Sequence, residues 1–329
     1  MFAAYTGGVL LISISDIWEA RRKITENVWR TRLVFSRSLS EKMGTMVYLK
    51  PENLQKTGSF KVRGAMNKIL SIPEKERHRG VVAFSSGNHA QGVAFSAKLA
   101  GVSATIVMPE WAAKNKMAAT RSYGARVVQY GKNSVEMESK ARAIMESDNR
   151  LFVHPFDDED IIAGQGTIGL EILEDLPDVD TIFIPIGGGG LISGISLAVK
   201  SIYPKIRIVG VQPSNSCSML VSRKAGKINE IESCDTIADG LTAKRPGENT
   251  FSLCEKYVDD IITVNDDEIV ETMCLLLERT KQLAEPSGVV GLAGIMSGRI
   301  GLGKKNVAVI SGGNCNFSVL AECIMKREK

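Results

Sequence analysis

The apolar positions of the chain fall into short continuous runs that are separated by longer amphipathic stretches. The runs have the length and the β-branched content of buried strands. They are MVYLK (46–50), GVVAF (80–84), ATIVM (104–108), RVVQY (126–130), TIFIPI (181–186), RIVGV (207–211), IITV (261–264) and NVAVIS (306–311). Helical spacing predicts helices over 62–71, 89–100, 134–147, 159–175, 191–199, 266–283 and 317–329. Strands that alternate with helices indicate a mostly parallel α/β fold with helices on both faces, and the strands suffice for two sheets.

Length and composition fit this picture and suggest two domains. The chain has 329 residues, of which 44% are hydrophobic and 24% are charged, as in ordinary globular proteins. A chain of that length is long for a single hydrophobic core and is typical of two domains. Because no repeat, low-complexity segment or Pro/Ser linker separates the halves, we expect the domains to be intertwined through a shared core.

The charged and metal-binding residue types exclude several classes of function. A net charge of +4, without basic runs interleaved with aromatics, gives no support for nucleic-acid binding. The six cysteines form no C-x-x-C pair, and the three histidines form no H-E-x-x-H motif, so reduced thiols are expected and no metal site is predicted. The start, MFAAYTGGVLLISIS, lacks a basic region and is interpreted as a folded or frayed start. No run approaches the roughly 20 apolar residues of a membrane helix, so a cytoplasmic protein without a membrane partner is expected.

One predicted strand is followed directly by four consecutive glycines. In IFIPIGGGGLISG (182–194), a β-branched strand meets Gly187–Gly190, and a helical pattern starts at Leu191. Glycines permit close approach of a ligand, and a helix start offers unpaired N–H groups, which together favour a phosphate. The stretch matches neither a P-loop nor a dinucleotide motif. A tight turn without a ligand is the alternative.

A second strand end carries a lysine. In KPENLQKTGSFKVRGA (50–65), Lys61 follows Phe60 and opens an apolar helix. A lysine near a helix N-terminus is disfavoured by the helix dipole. A lysine pressed against an apolar face and cationic neighbours has a lowered pKa and becomes a nucleophilic amine. A phosphate-bearing aldehyde cofactor, of which pyridoxal phosphate is the common one, requires such an amine. A solvated surface lysine is the alternative.

Two more turns of this kind complete the pattern. AFSSGNHAQG (83–92) places Ser85, Ser86, Gly87 and Asn88 between a strand and a helix, and VAVISGGNCNF (307–317) does the same with Ser311. Helix capping or a plain glycine turn explains each alone, but the first turn also offers donors for a substrate carboxylate. In open α/β sheets ligands bind beyond the carboxyl ends of the strands, so the four turns are predicted to line one cleft.

The motifs TGSFKVRGA, SSGNHAQG, DD…AGQGTIGLEI, PIGGGGLISG, IADG and SGGN together resemble the fold-type II pyridoxal-phosphate enzymes, the tryptophan-synthase-β-like group. Within this group the chain resembles the short, catabolic threonine/serine dehydratases, from about residue 15 to residue 325. The resemblance implies two intertwined, open twisted, mostly parallel sheets flanked by helices. It further implies a large cofactor-binding domain of residues 1–48 and 156–329, a small domain of residues 49–155 carrying part of the substrate site, and a homodimer or homotetramer.

The resemblance also implies roles for individual residues. Lys61 is expected to bond to pyridoxal phosphate and to remove the α-proton of the substrate, and Ser86 is the candidate acid/base on the opposite face. Further cofactor-binding residues are Phe60 against the ring, Asn88 at the ring hydroxyl, Gly187, Gly188, Gly189, Gly190 and Leu191 at the phosphate, and Ser311 at the pyridine nitrogen. The expected substrate-binding residues are Ser85, Ser86, Gly87, His89, Gly240 and Glu285.

The implied reaction converts L-threonine to 2-oxobutanoate and ammonia, and L-serine to pyruvate, in amino-acid catabolism or isoleucine biosynthesis. The alternatives are a serine racemase or another β-hydroxy amino acid lyase, and a non-catalytic binding protein of the same fold. Ser86 stands where many dehydratases have alanine and therefore supports the racemase. The stretch QPSNSCS (212–218) argues against it, because it lacks the acidic residues with which racemases hold a divalent cation. Lys61 argues against a binding protein.

Overall fold

The computed structural model describes residues 12–327, and strands alternate with helices through most of this range. Most of the N-terminal segment MFAAYTGGVLLISIS and the last two residues of the helix predicted over 317–329 lie outside the described residues. The strands are β1 (Val34–Phe35), β2 (Met46–Pro51), β3 (Val81–Phe84), β4 (Ala104–Met108), β5 (Arg126–Gln129), β6 (Leu151–Phe152), β7 (Thr181–Pro185), β8 (Arg207–Pro213), β9 (Asp260–Val264) and β10 (Lys305–Ile310).

Helices occupy much of the chain between and around these strands. They are α1 (Ile14–Ile24), α2 (Arg37–Met43), α3 (Lys61–Leu70), α4 (Asn88–Leu99), α5 (Lys114–Ser122), α6 (Ser134–Ser147), α7 (Glu159–Asp175), α8 (Gly190–Ile202), α9 (Ser218–Ala225), α10 (Glu248–Tyr257), α11 (Asp266–Thr280), α12 (Pro286–Met296) and α13 (Phe317–Arg327). Short 3₁₀ helices span Glu52–Leu54, Glu74–Arg79 and Asp239–Leu241. None of the helices described is both long enough and apolar enough to cross a membrane.

The strands form two sheets, as the sequence predicted. The larger sheet has the order β1-β2-β10-β7-β8-β9, and every neighbouring pair is parallel except β1 with β2. The smaller sheet has the order β5-β4-β3-β6 and is parallel throughout. The predicted α/β fold class is confirmed. The domain boundaries remain a prediction, and the one at 48/49 falls inside β2.

Helix α7 lies between the two helices that begin at the predicted cofactor site. Its glycines allow this close packing, because a Cβ at Gly164 would lie 2.6 Å from the carbonyl oxygen of Arg63 in α3. On the other side, a Cβ at Gly194 in α8 would lie 2.3 Å from the carbonyl oxygen of Ile162 in α7. The AGQG part of the chain therefore fixes the start of α3 relative to the start of α8.

Candidate active site

Lys61 is the first residue of α3, and its amino group is held by a main-chain acceptor. Nζ donates a hydrogen bond of 2.7 Å to the carbonyl oxygen of Pro155 and lies 5.2 Å from the centre of the Phe60 ring. Burial lowers the pKa of the Lys61 amine to about 8, because the ammonium form is poorly solvated there. The structure thus supplies the amine of lowered pKa that the sequence predicted.

The turn that carries Lys61 is joined to the end of β10. The N–H of Phe60 donates a bond of 3.1 Å to the carbonyl oxygen of Ser311, and Ser59 forms an isolated antiparallel bridge with Gly312. Ser311 itself is only 4% exposed, and its hydroxyl makes one long contact, 3.5 Å, to the carbonyl oxygen of Ser287. Two of the four predicted turns are therefore adjacent in space.

The Ser-Ser-Gly-Asn turn reaches the same place from the smaller sheet. The side-chain amide of Asn88 donates to Glu285 Oε1 at 2.5 Å and accepts from Asn314 Nδ2 at 2.8 Å. Glu285 is buried, and this burial, followed by the charge of Asp239, raises the pKa of its carboxyl to about 7. The structure thereby brings the third turn against the turn that follows β10 and against the AEPSG segment (284–288).

The residues of that turn differ in what their side chains do. The Ser85 hydroxyl accepts the N–H of Gly87 at 3.1 Å, whereas the Ser86 hydroxyl is partly exposed and bonds to no residue within 12–327. The His89 imidazole points elsewhere: it is 2% exposed, and Nε2 lies 3.1 Å from the carbonyl oxygen of Val153. Burial, then the charge of Lys61, lowers the pKa of His89 to about 3, so the ring is neutral.

The glycine loop is packed so tightly that side chains have no room in it. Gly189 precedes α8 with a φ of +102°, which glycine tolerates best. A Cβ would lie 2.4 Å from the Phe156 ring at Gly188, 2.7 Å from Met219 Cε at Gly189 and 2.9 Å from the Phe156 carbonyl oxygen at Gly190. The first N–H groups of α8, including that of Leu191, have no partner within the helix. This bare cradle fits a phosphate group.

The IADG segment adjoins the glycine loop. A Cβ at Gly187 would lie 3.2 Å from Leu241 Cα, and the N–H of Gly240 donates to the Ser287 hydroxyl at 2.8 Å. Next to Gly240, the carboxylate of Asp239 pairs at 2.8 Å with Lys116 of α5. These contacts therefore bring the predicted turns and the IADG segment together, apart from the His89 side chain, at the place where the cleft was predicted.

Segment 153–158 joins Lys61 to the glycine loop, a function that sequence reasoning missed. Pro155 accepts the Lys61 hydrogen bond, and Phe156 packs against the glycines. The Asp157 carboxylate accepts the N–H groups of Glu248 and Thr250, at 3.0 and 3.1 Å, in the first turn of α10. The sequence analysis included part of this stretch in a motif. It could not predict these contacts, because a main-chain carbonyl acceptor and an aromatic ring contact do not depend on a recognisable spacing of residue types.

A buried ion network below the site was also missed. Arg63, two residues after Lys61 and fully buried, donates two 2.8 Å bonds to Glu52 and two bonds, of 2.7 and 2.9 Å, to Glu171. Lys50 of β2 also pairs with Glu171, at 2.5 Å. The two cations and two carboxylates balance in charge and tie β2, α3 and α7 together.

The arrangement fits a cofactor that carries both a phosphate and an aldehyde. The glycine cradle at α8 suits the phosphate, and the Lys61 amine suits the aldehyde. Within residues 12–327 no group of three or more His, Cys, Asp or Glu side chains is placed to hold a metal ion.

Comparison with known proteins agrees with this chemistry. The family model described as pyridoxal-phosphate dependent enzyme matches residues 24–312, and the chain belongs to this family. Pyridoxal phosphate is accordingly its cofactor.

Among relatives, the L-threonine ammonia-lyase of Thermotoga maritima is 49% identical over 96% of this chain and 79% of its own length. The catabolic L-threonine dehydratase TdcB of Escherichia coli K12 is 44% identical over 95% of this chain and 96% of its own. Two solved structures cover 93–96% of this chain and 98–99% of their own: the threonine deaminase of T.th., with 41% identity and a TM-score of 0.88, and maize serine racemase, with 38% and 0.91.

Proposed function

We propose that the protein is a pyridoxal-phosphate-dependent L-threonine ammonia-lyase that forms 2-oxobutanoate and ammonia, and that it also converts L-serine to pyruvate. The observation that carries the proposal is the Lys61 amine, with its pKa lowered to about 8, in a turn that bonds to Ser311 and is linked through Pro155 and Phe156 to the glycine loop. The curated relatives support the substrate, since the two reported above, at 49% and 44% identity, are named for threonine.

The cofactor has its own set of proposed contacts. Lys61 bonds to it, Phe60 packs against its ring, Asn88 bonds the ring hydroxyl, and Ser311 faces the ring nitrogen. The phosphate is held by main-chain N–H groups of the residues in the glycine loop, namely Gly187, Gly188, Gly189, Gly190 and Leu191. When bound, pyridoxal phosphate withdraws electrons from the amino acid and thereby makes its α-proton removable.

The side chains then move protons around the substrate. Lys61, released from the cofactor when the amino group of the substrate takes its place, takes the α-proton as a neutral amine. The carbonyl oxygen of Pro155 orients that amine by accepting one of its N–H groups. Loss of the β-hydroxyl is helped by a proton that Lys61 returns. The resulting unsaturated amine hydrolyses to the 2-oxo acid and ammonia.

The substrate carboxylate is proposed to lie at the Ser85, Ser86 and Gly87 turn. Because the His89 imidazole is buried against Val153, the contribution of His89 comes from its main-chain N–H in the first turn of α4. Gly240 and Glu285 flank the other side of the substrate.

The test is a product assay on the purified holoenzyme with L-threonine, L-serine and D-serine. We expect 2-oxobutanoate from L-threonine and pyruvate from L-serine. Lys61→Ala should abolish both products and the visible absorbance of the lysine-bound cofactor, while circular dichroism shows an intact fold. Absence of 2-oxo acid from the wild type, with the absorbance present, would refute the proposed substrate but not the cofactor.

Serine racemization is the second candidate, and the partly exposed hydroxyl of Ser86, which has no hydrogen-bond partner among residues 12–327, favours it. If Ser86 is a proton carrier on the face opposite Lys61, Ser86→Ala should remove D-serine formation and leave 2-oxobutanoate formation from L-threonine. Formation of D-serine faster than pyruvate by the wild type would make racemization the main reaction.

The assembly and the location are also proposals. A homodimer or homotetramer follows from the resemblance to known dehydratases and is checked by sedimentation equilibrium. A cytoplasmic location is supported by the cysteines, all six of which are free.

A further inference from the structure

Lys116 connects the smaller-sheet side of the cleft to the glycine-loop side. It lies in the first turn of α5, and Nζ is 2.8 Å from Asp239 Oδ2 in the 3₁₀ helix that holds Gly240. The side chain of Lys116 is 12% exposed, whereas that of Asp239 is 43% exposed. The pair therefore spans the cleft, with its cation turned inward and its anion nearer to solvent.

The stem of Lys116 lies directly on the Ser-Ser-Gly-Asn turn. A Cβ at Gly87 would be 2.9 Å from Lys116 Cδ and 3.4 Å from Nζ. The amino group is thus beside the turn whose donors are proposed to take the substrate carboxylate. Burial opposes its charge, but Asp239 and Glu285 raise the pKa of Lys116, and it remains a cation.

A carboxylate that leaves water for this cleft requires a counter-charge. The hydroxyls and N–H groups of the turn are neutral, and the nearby His89 ring is neutral as well. Arg63 is already paired with Glu52 and Glu171. Among residues 12–327, Lys116 is a cation whose side chain lies against the turn, and two of its three N–H donors are left over from the bond to Asp239.

We infer that Lys116 is a substrate-binding residue that receives the α-carboxylate on its two remaining donors, and that Asp239 holds the amino group in place and competes with the substrate for its charge. This inference rests on the proposed function, because it requires an amino-acid substrate. It predicts opposite effects for the two partners. Loss of Lys116 removes the counter-charge, whereas loss of the Asp239 charge removes the competitor.

The experiment compares Lys116→Met, Lys116→Arg and Asp239→Asn in the holoenzyme, with Lys114→Met, at an exposed position of the same helix, as the control. A charged hydrogen bond of this kind is worth about tenfold or more in affinity. We expect Lys116→Met to raise KM for L-threonine about tenfold with kcat within about threefold. Lys116→Arg should recover most of the affinity, Asp239→Asn should lower KM, and Lys114→Met should match the wild type.

L-Threoninamide, which lacks the negative charge, serves as a competitive probe. Its inhibition constant should be the same in the wild type and in Lys116→Met. The inference is overturned if KM in Lys116→Met stays within twofold of the wild type, or if the amide weakens as much as threonine does. It is also overturned if Asp239→Asn raises KM as Lys116→Met does, since the pair would then only hold the two sides of the cleft together.

Failure of the proposed function would look different. In that case the wild type gives no 2-oxo acid from L-threonine, and calorimetry of L-threonine against L-threoninamide tests Lys116 by binding alone. A preference for L-threonine that disappears in Lys116→Met supports the carboxylate contact. An unchanged preference overturns it.

Discussion

The Lys61 amino group and the Pro155 carbonyl oxygen are joined by a hydrogen bond of 2.7 Å. This acceptor can be satisfied by either protonation state of the amine, so it orients Nζ without requiring a charge. It also couples Lys61 to the segment whose next residue, Phe156, packs against the glycine loop. The position of the amine and the shape of the phosphate cradle thus depend on one short stretch of main chain.

The first prediction concerns the pH dependence of cofactor attachment. Burial lowers the pKa of Lys61 from 10.5 to about 8, so the reactive neutral amine becomes dominant above pH 8 instead of above 10.5. The rate at which cofactor-free protein gains the visible absorbance of bound pyridoxal phosphate should rise between pH 6.5 and 8 and level off near pH 9. A rate that still climbs tenfold per pH unit above 9 would contradict the lowered pKa. Lys61→Ala, which should never gain the absorbance, is the control.

The sequence predicted most of the fold because parallel strands that are buried on both faces leave unmistakable apolar runs. β4, α6 and α7 have the predicted bounds. β1 and β6 were missed, since two residues each are too short for a periodic signal. α11 ends at Thr280 instead of 283 because Lys281 turns left-handed, with a φ of +61°. That conformation is uncommon for a lysine and has no apolar signature.

Less of the candidate site could be predicted. Glycine, serine and lysine turns at strand ends are visible in a sequence, and the structure brings them together. The sequence did not predict the contacts of Lys116, of Pro155 or of the Arg63 network. Each of these contacts includes a partner more than 90 residues away in the chain, and no periodic pattern of residues indicates such a pairing. For His89 the sequence predicted a substrate contact without saying which atoms make it; because the ring bonds to the carbonyl oxygen of Val153, the main-chain N–H is left for that contact.

The second prediction concerns Gly188. A Cβ there would lie 2.4 Å from the Phe156 ring, so Gly188→Ala must displace either the ring or the loop. We expect cofactor affinity, measured by absorbance titration, to fall at least about tenfold, because the cradle must keep its N–H groups aligned. Gly301→Ala is the matched control, since a Cβ at Gly301 meets nothing within 4 Å. Equal affinities in the two variants would show that the loop does not hold the phosphate.

The third prediction concerns Glu285 and stability. Burial, then Asp239, raises the pKa of this carboxyl from 4.5 to about 7, so the folded protein binds more protons than the unfolded chain between these values. Glu285 therefore lowers stability as pH rises from 4.5 to 7, and the loss persists above pH 7. Glu285→Gln keeps an acceptor for Asn88 but cannot ionise. Urea unfolding of the cofactor-free protein should show the variant more stable than wild type at pH 8, by up to about 3 kcal/mol. A difference that is the same at pH 5 and at pH 8 would contradict the raised pKa.

The fourth prediction concerns Arg63. Its guanidinium bonds both Glu52 and Glu171, and removing it leaves two buried carboxylates with only Lys50 to compensate them. Breaking such a buried pair costs about 3–5 kcal/mol, so Arg63→Met should lower the free energy of unfolding by that amount in urea titrations. Arg245→Met is the control: its pair with Glu248 is exposed, and its loss should cost less than about 1 kcal/mol. Arg63→Lys keeps the charge but not the two-pronged bond, and should fall between them. Because Arg63 lies two residues from Lys61, we also expect Arg63→Lys to weaken cofactor binding. If instead it costs stability alone, with cofactor affinity unchanged, the network supports the fold without positioning Lys61.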